Sequence, residues 1–97
     1  MKDLYFDKQG QPIDSEKWRE LLKGKDYKII KQTELENGKW VSTVWFGLNH
    51  NLGEGKPLIF ETMVFPEKGK YSDLDCERYS TLEEALKGHE EMIKKWE

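Results

Sequence analysis

The stretch VSTVWFGLNHNLGEGKPLIFETMVF, Val41 to Phe65, decides the fold. Two runs of β-branched and aromatic residues read as strands. Between them lies a polar segment, about 47 to 57, with Gly47, Asn49, His50, Asn51, Gly53, Glu54 and Gly55. It is too long and too polar for an ordinary hairpin turn. Alternation puts Val41, Thr43 and Trp45 on one face of the first strand and Ser42, Val44 and Phe46 on the other. The second strand shows Ile59, Glu61, Met63 and Phe65 against Leu58, Phe60, Thr62 and Val64. Both faces are partly apolar, so either the helices divide between them or one face meets a partner or ligand.

Upstream, YKIIKQTELENGKW alternates, with Tyr27, Ile29 and Leu35 on one side and Ile30 on the other. Asn37-Gly38 is a hairpin signal because both residue types tolerate positive φ, so strands near 27 to 35 and 39 to 46 should pair antiparallel. Before them, PIDSEKWRELLKGK reads as a helix capped by Asp14 or Ser15, with Trp18, Leu21 and Leu22 as its apolar stripe and Gly24 as its stop. If Asp14 is the cap, Ile13 and Trp18 occupy the positions of a hydrophobic staple. LYFDKQGQPI reads as a short edge strand with a sharp turn at Gly10.

Downstream, DCERYS can add a further short edge strand. YSTLEEALKGHEEMIKKWE is the clearest helix: Ser80 with Glu83, or Thr81 with Glu84, forms a capping box. Leu82, Ala85, Leu86, His89, Met92, Ile93 and Trp96 mark its apolar face. Glu83 with Lys87, Glu90 with Lys94 and Glu91 with Lys95 are i,i+4 pairs, each worth ~0.2 to 0.5 kcal/mol on a solvated face. The expected fold is α+β: a single small domain over 1–97, with an antiparallel sheet of three to five strands packed with two helices, in the order β-α-β-β-β-(β)-α.

Ninety-seven residues suit one core, since two would each be too small to hold together. The apolar and charged fractions are both 36%, and four each of Trp, Tyr and Phe supply the large buried areas. Sixteen basic residues against nineteen acidic ones leave a net charge of −3, the wrong sign for steering toward phosphates, so nucleic-acid binding is disfavoured. No run has the composition of a signal peptide or approaches the ~20 apolar residues of a spanning helix, which leads us to expect a soluble, cytoplasmic protein. Cys76 is the sole cysteine, so an internal disulfide is impossible.

The candidate binding residues are Thr43, Trp45, Asn49, His50, Asn51 and Glu61. Trp45 adjoins the polar loop and is the tryptophan expected to be most exposed. Glu61 is a charge inside an apolar strand, where burial needs a partner. His50, with Asn49 or Asn51, can point into a pocket near Glu61 and bind or shuttle a proton; the bland reading is a loop that satisfies its own polar groups. GEGK lacks the spacing and following helix of a phosphate loop. His89 on an apolar helix face reads as a hydrogen-bonded core histidine, and no ligand spacing supports a metal, so neither a metal nor a cofactor is expected.

LYFDKQGQPIDSEKW, VSTVWFGLNHNLGEGKPLIFETMVF and CERYSTLEEALKGHE together resemble a widespread group of small proteins of unknown activity encoded by bacteriophages and prophages. Its core is the VSTVW strand, the GLNH loop and the PLIFETMVF strand, and the resemblance spans about Leu4 to Glu91. This chain departs at Leu52, where an aromatic is commoner, and at Glu54 and Lys56, which replace a plainer Gly/Pro run. Members often carry Asp at Asn49, which points to hydrogen bonding there rather than obligatory proton transfer. The resemblance implies phage or prophage origin and action in the host cytoplasm, and it implies no particular chemistry.

The leading expectation is therefore a non-catalytic phage accessory protein that binds a host or phage macromolecule through the Trp45 and Glu61 face and the 47 to 57 loop. The alternative is a counter-defence protein that sequesters a nucleotide-like ligand, stacked on Trp45. A small hydrolase using His50 and Glu61, and a minor virion component, rank below these. Homo-oligomerisation through a sheet face is compatible with each.

Overall fold

Gly10 turns the chain back on itself near its start, with a φ of +82° that favours glycine. Asp7 Oδ1 fixes the turn by accepting from the amides of Gln9 and Gln11. Strand β1 (Tyr5–Phe6) accordingly pairs antiparallel with β2 (Pro12–Ile13) in the computed structural model. The structure describes residues 3–51, 53 and 55–97. Leu52 and Glu54 of the long loop lie outside the described residues.

Helix α1 (Ser15–Leu22) begins on Asp14, whose carboxylate accepts from the Lys17 amide at 2.8 Å. Gly24 does not stop it through a left-handed residue. It leads into a second, short helix, α2 (Lys25–Lys28), where alternation suggested strand. Tertiary packing overrides propensity here: the Tyr27 ring meets Trp45 edge-on at 4.9 Å, and its hydroxyl accepts from the Lys8 amide.

Strands β3 (Ile29–Glu34), β4 (Trp40–Trp45), β5 (Phe60–Phe65) and β6 (Asp75–Tyr79) then form a four-stranded antiparallel sheet in the order β3-β4-β5-β6. Helix α3 (Leu82–Trp96) closes the chain, and the fold is α+β as its sequence indicates. At the β3–β4 turn only Gly38 takes positive φ, at +89°. Gly38 N donates to Leu35 O and Leu35 N to Lys39 O, which makes a three-residue loop with a glycine bulge rather than the two-residue turn.

A second irregularity falls between Ile29 and Lys31. It shifts the register so that Ile30 packs into the core while Ile29 is 37% exposed, the reverse of their expected sides.

Both long helices cover the same face of the sheet. Trp45 and Phe60, paired across β4 and β5, form one cluster with Phe6, Ile59 and Ala85, and Trp18, Leu21, Leu22 and Tyr27 pack against it. Val41, Val64, Leu35 and Met92 form a second cluster further along α3. The capping box of α3 uses Thr81 and Glu84. Leu86, expected on the buried stripe, is 42% exposed, and Gly88 takes its place against the sheet.

The contact between α3 and the sheet is polar at its centre. His89 is fully buried, with Nδ1 2.7 Å from Thr43 Oγ1 and Nε2 2.9 Å from Thr33 Oγ1. Thr43 Oγ1 lies 2.5 Å from Thr62 Oγ1. One hydrogen-bonded chain thus joins β3, β4, β5 and α3. Helix charges add to it: Lys95 reaches Asp75 at 2.7 Å and Glu90 meets Lys31 at 3.4 Å, bridging elements rather than helical turns. The Lys95 and Trp96 side chains, both bonded to Asp75, hold its carboxyl below the usual carboxylate range.

A methyl group at Gly88 would fall on the Tyr79 ring. Alanine ordinarily gains about 1 kcal/mol over glycine inside a helix, but Tyr79 is packed against the core cluster and cannot swing clear cheaply. Gly88→Ala should therefore destabilise the fold by about 1 to 3 kcal/mol, read as a lower urea midpoint; an unchanged or raised midpoint would contradict this packing.

Candidate functional site

The six candidate residues divide among three places. Thr43 and Trp45 lie under the helices, both fully buried. Trp45, expected to be the most exposed tryptophan, instead donates from Nε1 to the Phe6 carbonyl at 3.0 Å, and Thr43 is committed to His89 and Thr62. Glu61 pairs across the sheet with Val44 rather than with a residue of the Trp45 face. Trp45 and Glu61 are therefore on opposite faces and cannot serve one surface.

Asn49, His50 and Asn51 stay together in the loop after β4. Asn49 Oδ1 accepts from the amides of Asn51 at 2.8 Å and Leu58 at 3.2 Å. The Asn49 amide donates to Leu4 O and the His50 amide to Leu58 O, which ties the loop to both the N-terminal segment and its own far side. Asn51 Nδ2 donates to Lys56 O, and Asn51 Oδ1 accepts from the Gly53 amide. These are the self-satisfied bonds that Asn-rich loops favour.

His50 is exposed, and its ring lies 4.2 Å from that of Phe46. The Glu61 carboxylate is engaged elsewhere, accepting from Arg78 Nε at 3.0 Å.

Gly47 explains how the loop leaves β4. Its φ is +72°, and a Cβ there would run into Trp45 and Trp18. Trp18 Nε1 donates to Phe46 O at 2.7 Å, locking the same bend from outside.

The larger candidate is the sheet face that no helix covers. Register places Ile29, Val44, Glu61 and Arg78 in one row, Gln32, Ser42, Met63 and Cys76 in the next, and Glu34, Trp40 and Phe65 in a third. Trp40, Val44, Met63 and Phe65 are half-buried. Lys68 sits over the Trp40 ring at 5.0 Å, and Gln32 Nε2 donates to Ser42 Oγ. Burial and the neighbouring Glu61 carboxylate push the Cys76 thiol up to about 11, which keeps it protonated and a poor nucleophile near neutrality.

Trp40 and Arg78 escaped the sequence reading. Their signal is the strand register, which sets Trp40 opposite Phe65 and Arg78 opposite Glu61, and alternation within one strand does not give it.

Among the described residues, no group of His, Cys, Asp or Glu side chains is arranged to hold a metal ion, and no helix is long and apolar enough to cross a membrane. A cleft of about 160 Å³ between the first hairpin and the start of α3 is lined by Phe6, Gly10, Lys56, Pro57, Ile59 and Ser80. The chain matches no protein-family model, no curated protein and no solved structure.

Both loop bonds of Asn49 use Oδ1, an atom that aspartate also supplies. Asn49→Ala should cost about 1 to 2 kcal/mol by leaving two amides without that acceptor, whereas Asn49→Asp should cost less than half as much. Thermal denaturation of the two variants checks this; equal losses would remove the acceptor role.

Proposed function

We propose that the chain is a phage or prophage accessory protein, a non-catalytic binding module that engages a host or phage macromolecule through the uncovered face of its sheet. The observation that carries this reading is the contiguous set Trp40, Val44, Met63 and Phe65 on a face no helix covers. Apolar residues clustered this way mark interaction surfaces more often than single exposed ones do. The surface differs from the one expected from sequence, because Trp45 is interior and Trp40 takes its place.

Size refines the reading. Four strands about 4.8 Å apart, with six residues rising ~3.3 Å each, make a face of roughly 400 Å². That is about half of what one partner contributes to a standard stable interface. The same strands are covered on their other side by α3 with help from α1, so the open face has room for about one helix or one extended segment. Transient engagement of a segment fits this area better than a permanent complex.

The non-catalytic part is supported by the Glu61 carboxylate being taken by Arg78 and by the protonated Cys76. Sequestration of a nucleotide-like ligand loses its stacking ring, since Trp45 has no exposed surface.

Met63→Arg and Trp40→Ala test the face because both positions touch solvent and both substitutions should leave the circular dichroism spectrum intact. Affinity purification from infected-host lysate should then lose, with either variant, partners that the wild type retains. Recovery of the same partners by all three proteins would overturn the assignment of the face. Light scattering on the purified wild type separates a foreign partner from a second copy of the chain.

A further inference from the structure

The two edges of the sheet meet α3 differently. On the β3 side three polar contacts tie the helix down: Thr33 to His89, Lys31 to Glu90, and Asn37 to the Trp96 carbonyl. On the β6 side Asp75 takes Lys95 and Trp96, and Gly88 lies against Tyr79. Along that side runs a groove of about 370 Å³, lined by Glu77, Tyr79, Gly88, Glu91, Met92 and Lys95.

Strand β6 is also an outer strand, paired with β5 alone. An outer strand leaves every second amide and carbonyl without a strand partner. In β3, the other outer strand, the shift between Ile29 and Lys31 breaks the regular edge, whereas β6 keeps one register from Asp75 to Tyr79.

Two carboxylates of the groove have no counter-charge. Glu91 does not form its expected helical pair, because Lys95 goes to Asp75, and Glu77 is exposed on the strand. Among the described residues neither makes an ion pair or a side-chain hydrogen bond.

We propose that β6 and the groove beside it receive an extended peptide segment bearing a lysine or arginine, which adds to the sheet as a further strand.

Side chains of an added strand alternate between the two sides of the sheet, so those on the Glu77 and Tyr79 side enter the groove. Tyr79, Gly88 and Met92 offer an apolar floor to the stem of a lysine, and Glu77 and Glu91 supply charge for its ammonium group. The volume is at the low end for ligand clefts, ~300 to 1,000 Å³, which suits single side chains better than a docked helix ~10 Å across. The site is separate from the open face, toward which Cys76 and Arg78 of the same strand point.

The same charges turn other occupants away. A phosphate-bearing chain would meet two unpaired carboxylates. A second copy pairing β6 with β6 would bring both sets of Glu77 and Glu91 to one interface, where like charges destabilise.

A capped peptide of about seven residues, alternating threonine with lysine, is the probe, titrated into the isotope-labelled full chain and followed by NMR. Amide signals of β6 and of the Gly88 to Met92 turn should move. The same peptide with glutamate in place of lysine should bind at least about tenfold more weakly. Glu77→Lys with Glu91→Lys, both at exposed positions, should reverse that preference. Methylating alternate backbone nitrogens of the peptide separates strand addition from a contact between charges, since one of the two methylation patterns should abolish the shifts. A flat response to the lysine peptide, an unchanged preference in the double variant, or indifference to both methylation patterns would each overturn the proposal. Movement of the same signals on concentrating the protein alone would give the groove to a second copy and overturn it as well.

Discussion

A fully buried imidazole constrains everything around it, because both ring nitrogens need partners and one must receive a hydrogen while the other gives one. His89 meets that demand with Thr33 from β3 and Thr43 from β4, two hydroxyls that can donate or accept as required. Thr43 is bonded in turn to Thr62 of β5, so the requirement spreads through three of the four strands. A helix displaced by one turn along the sheet would leave these groups buried and unpaired, at about 1 to 3 kcal/mol for each. The apolar clusters on either side of His89 supply most of the driving force, and the polar chain fixes where α3 must sit.

This arrangement inverts a common expectation about which side of a sheet the helices choose. The covered face carries Thr33, Thr43, Thr62 and His89 at its centre, while the open face carries Trp40, Val44, Met63 and Phe65. Hydropathy alone favours neither face. What decides is bulk at the ends: Trp45 with Phe60 at one end and Val41 with Val64 at the other, each pair directly opposed across β4 and β5. Those pairs fit the stripe Leu82, Ala85, Met92, Ile93 of α3, with the hydroxyls lining up beneath His89 between them.

Much of this was legible in the sequence, and the reasons for the gaps are local. Element types followed from alternation, from the cap at Asp14 and from the Thr81–Glu84 box. His89 was readable as a bonded core residue because it sits on an apolar stripe. Alternation says which residues of one strand share a face, but it does not say how two strands separated by residues 46–59 are matched. Phe46 and Gly47 both donate to Ile59 O, an irregularity that sequence spacing cannot reveal, and it is at this end that Trp45 turns inward opposite Phe60. The shift at Ile29 and Lys31 has the same character, one extra residue reversing a face. The loop's asparagines were readable as turn formers, and their bonds to Leu58, Lys56 and Gly53 bear out the blander of the two readings.

The open face gains its interest from how little else restrains it. Glu61 and Arg78 satisfy each other at one end, Gln32 bonds Ser42 in the middle, and Lys68 shelters Trp40 at the other end. Each of these contacts lies within the face or at its rim, so these groups are already engaged with one another. A partner therefore need not supply charge to match a buried demand, and its gain comes mainly from apolar area, at about 25 cal/mol per Å² covered. With roughly 400 Å² on offer, part of it polar, that gain is at most about 10 kcal/mol before the ordering costs of association are subtracted, which leaves a weak, reversible contact. The hydrogen-bonded covered side and the open side thus divide the sheet: one face specifies the fold, and the other is the one proposed to meet a partner.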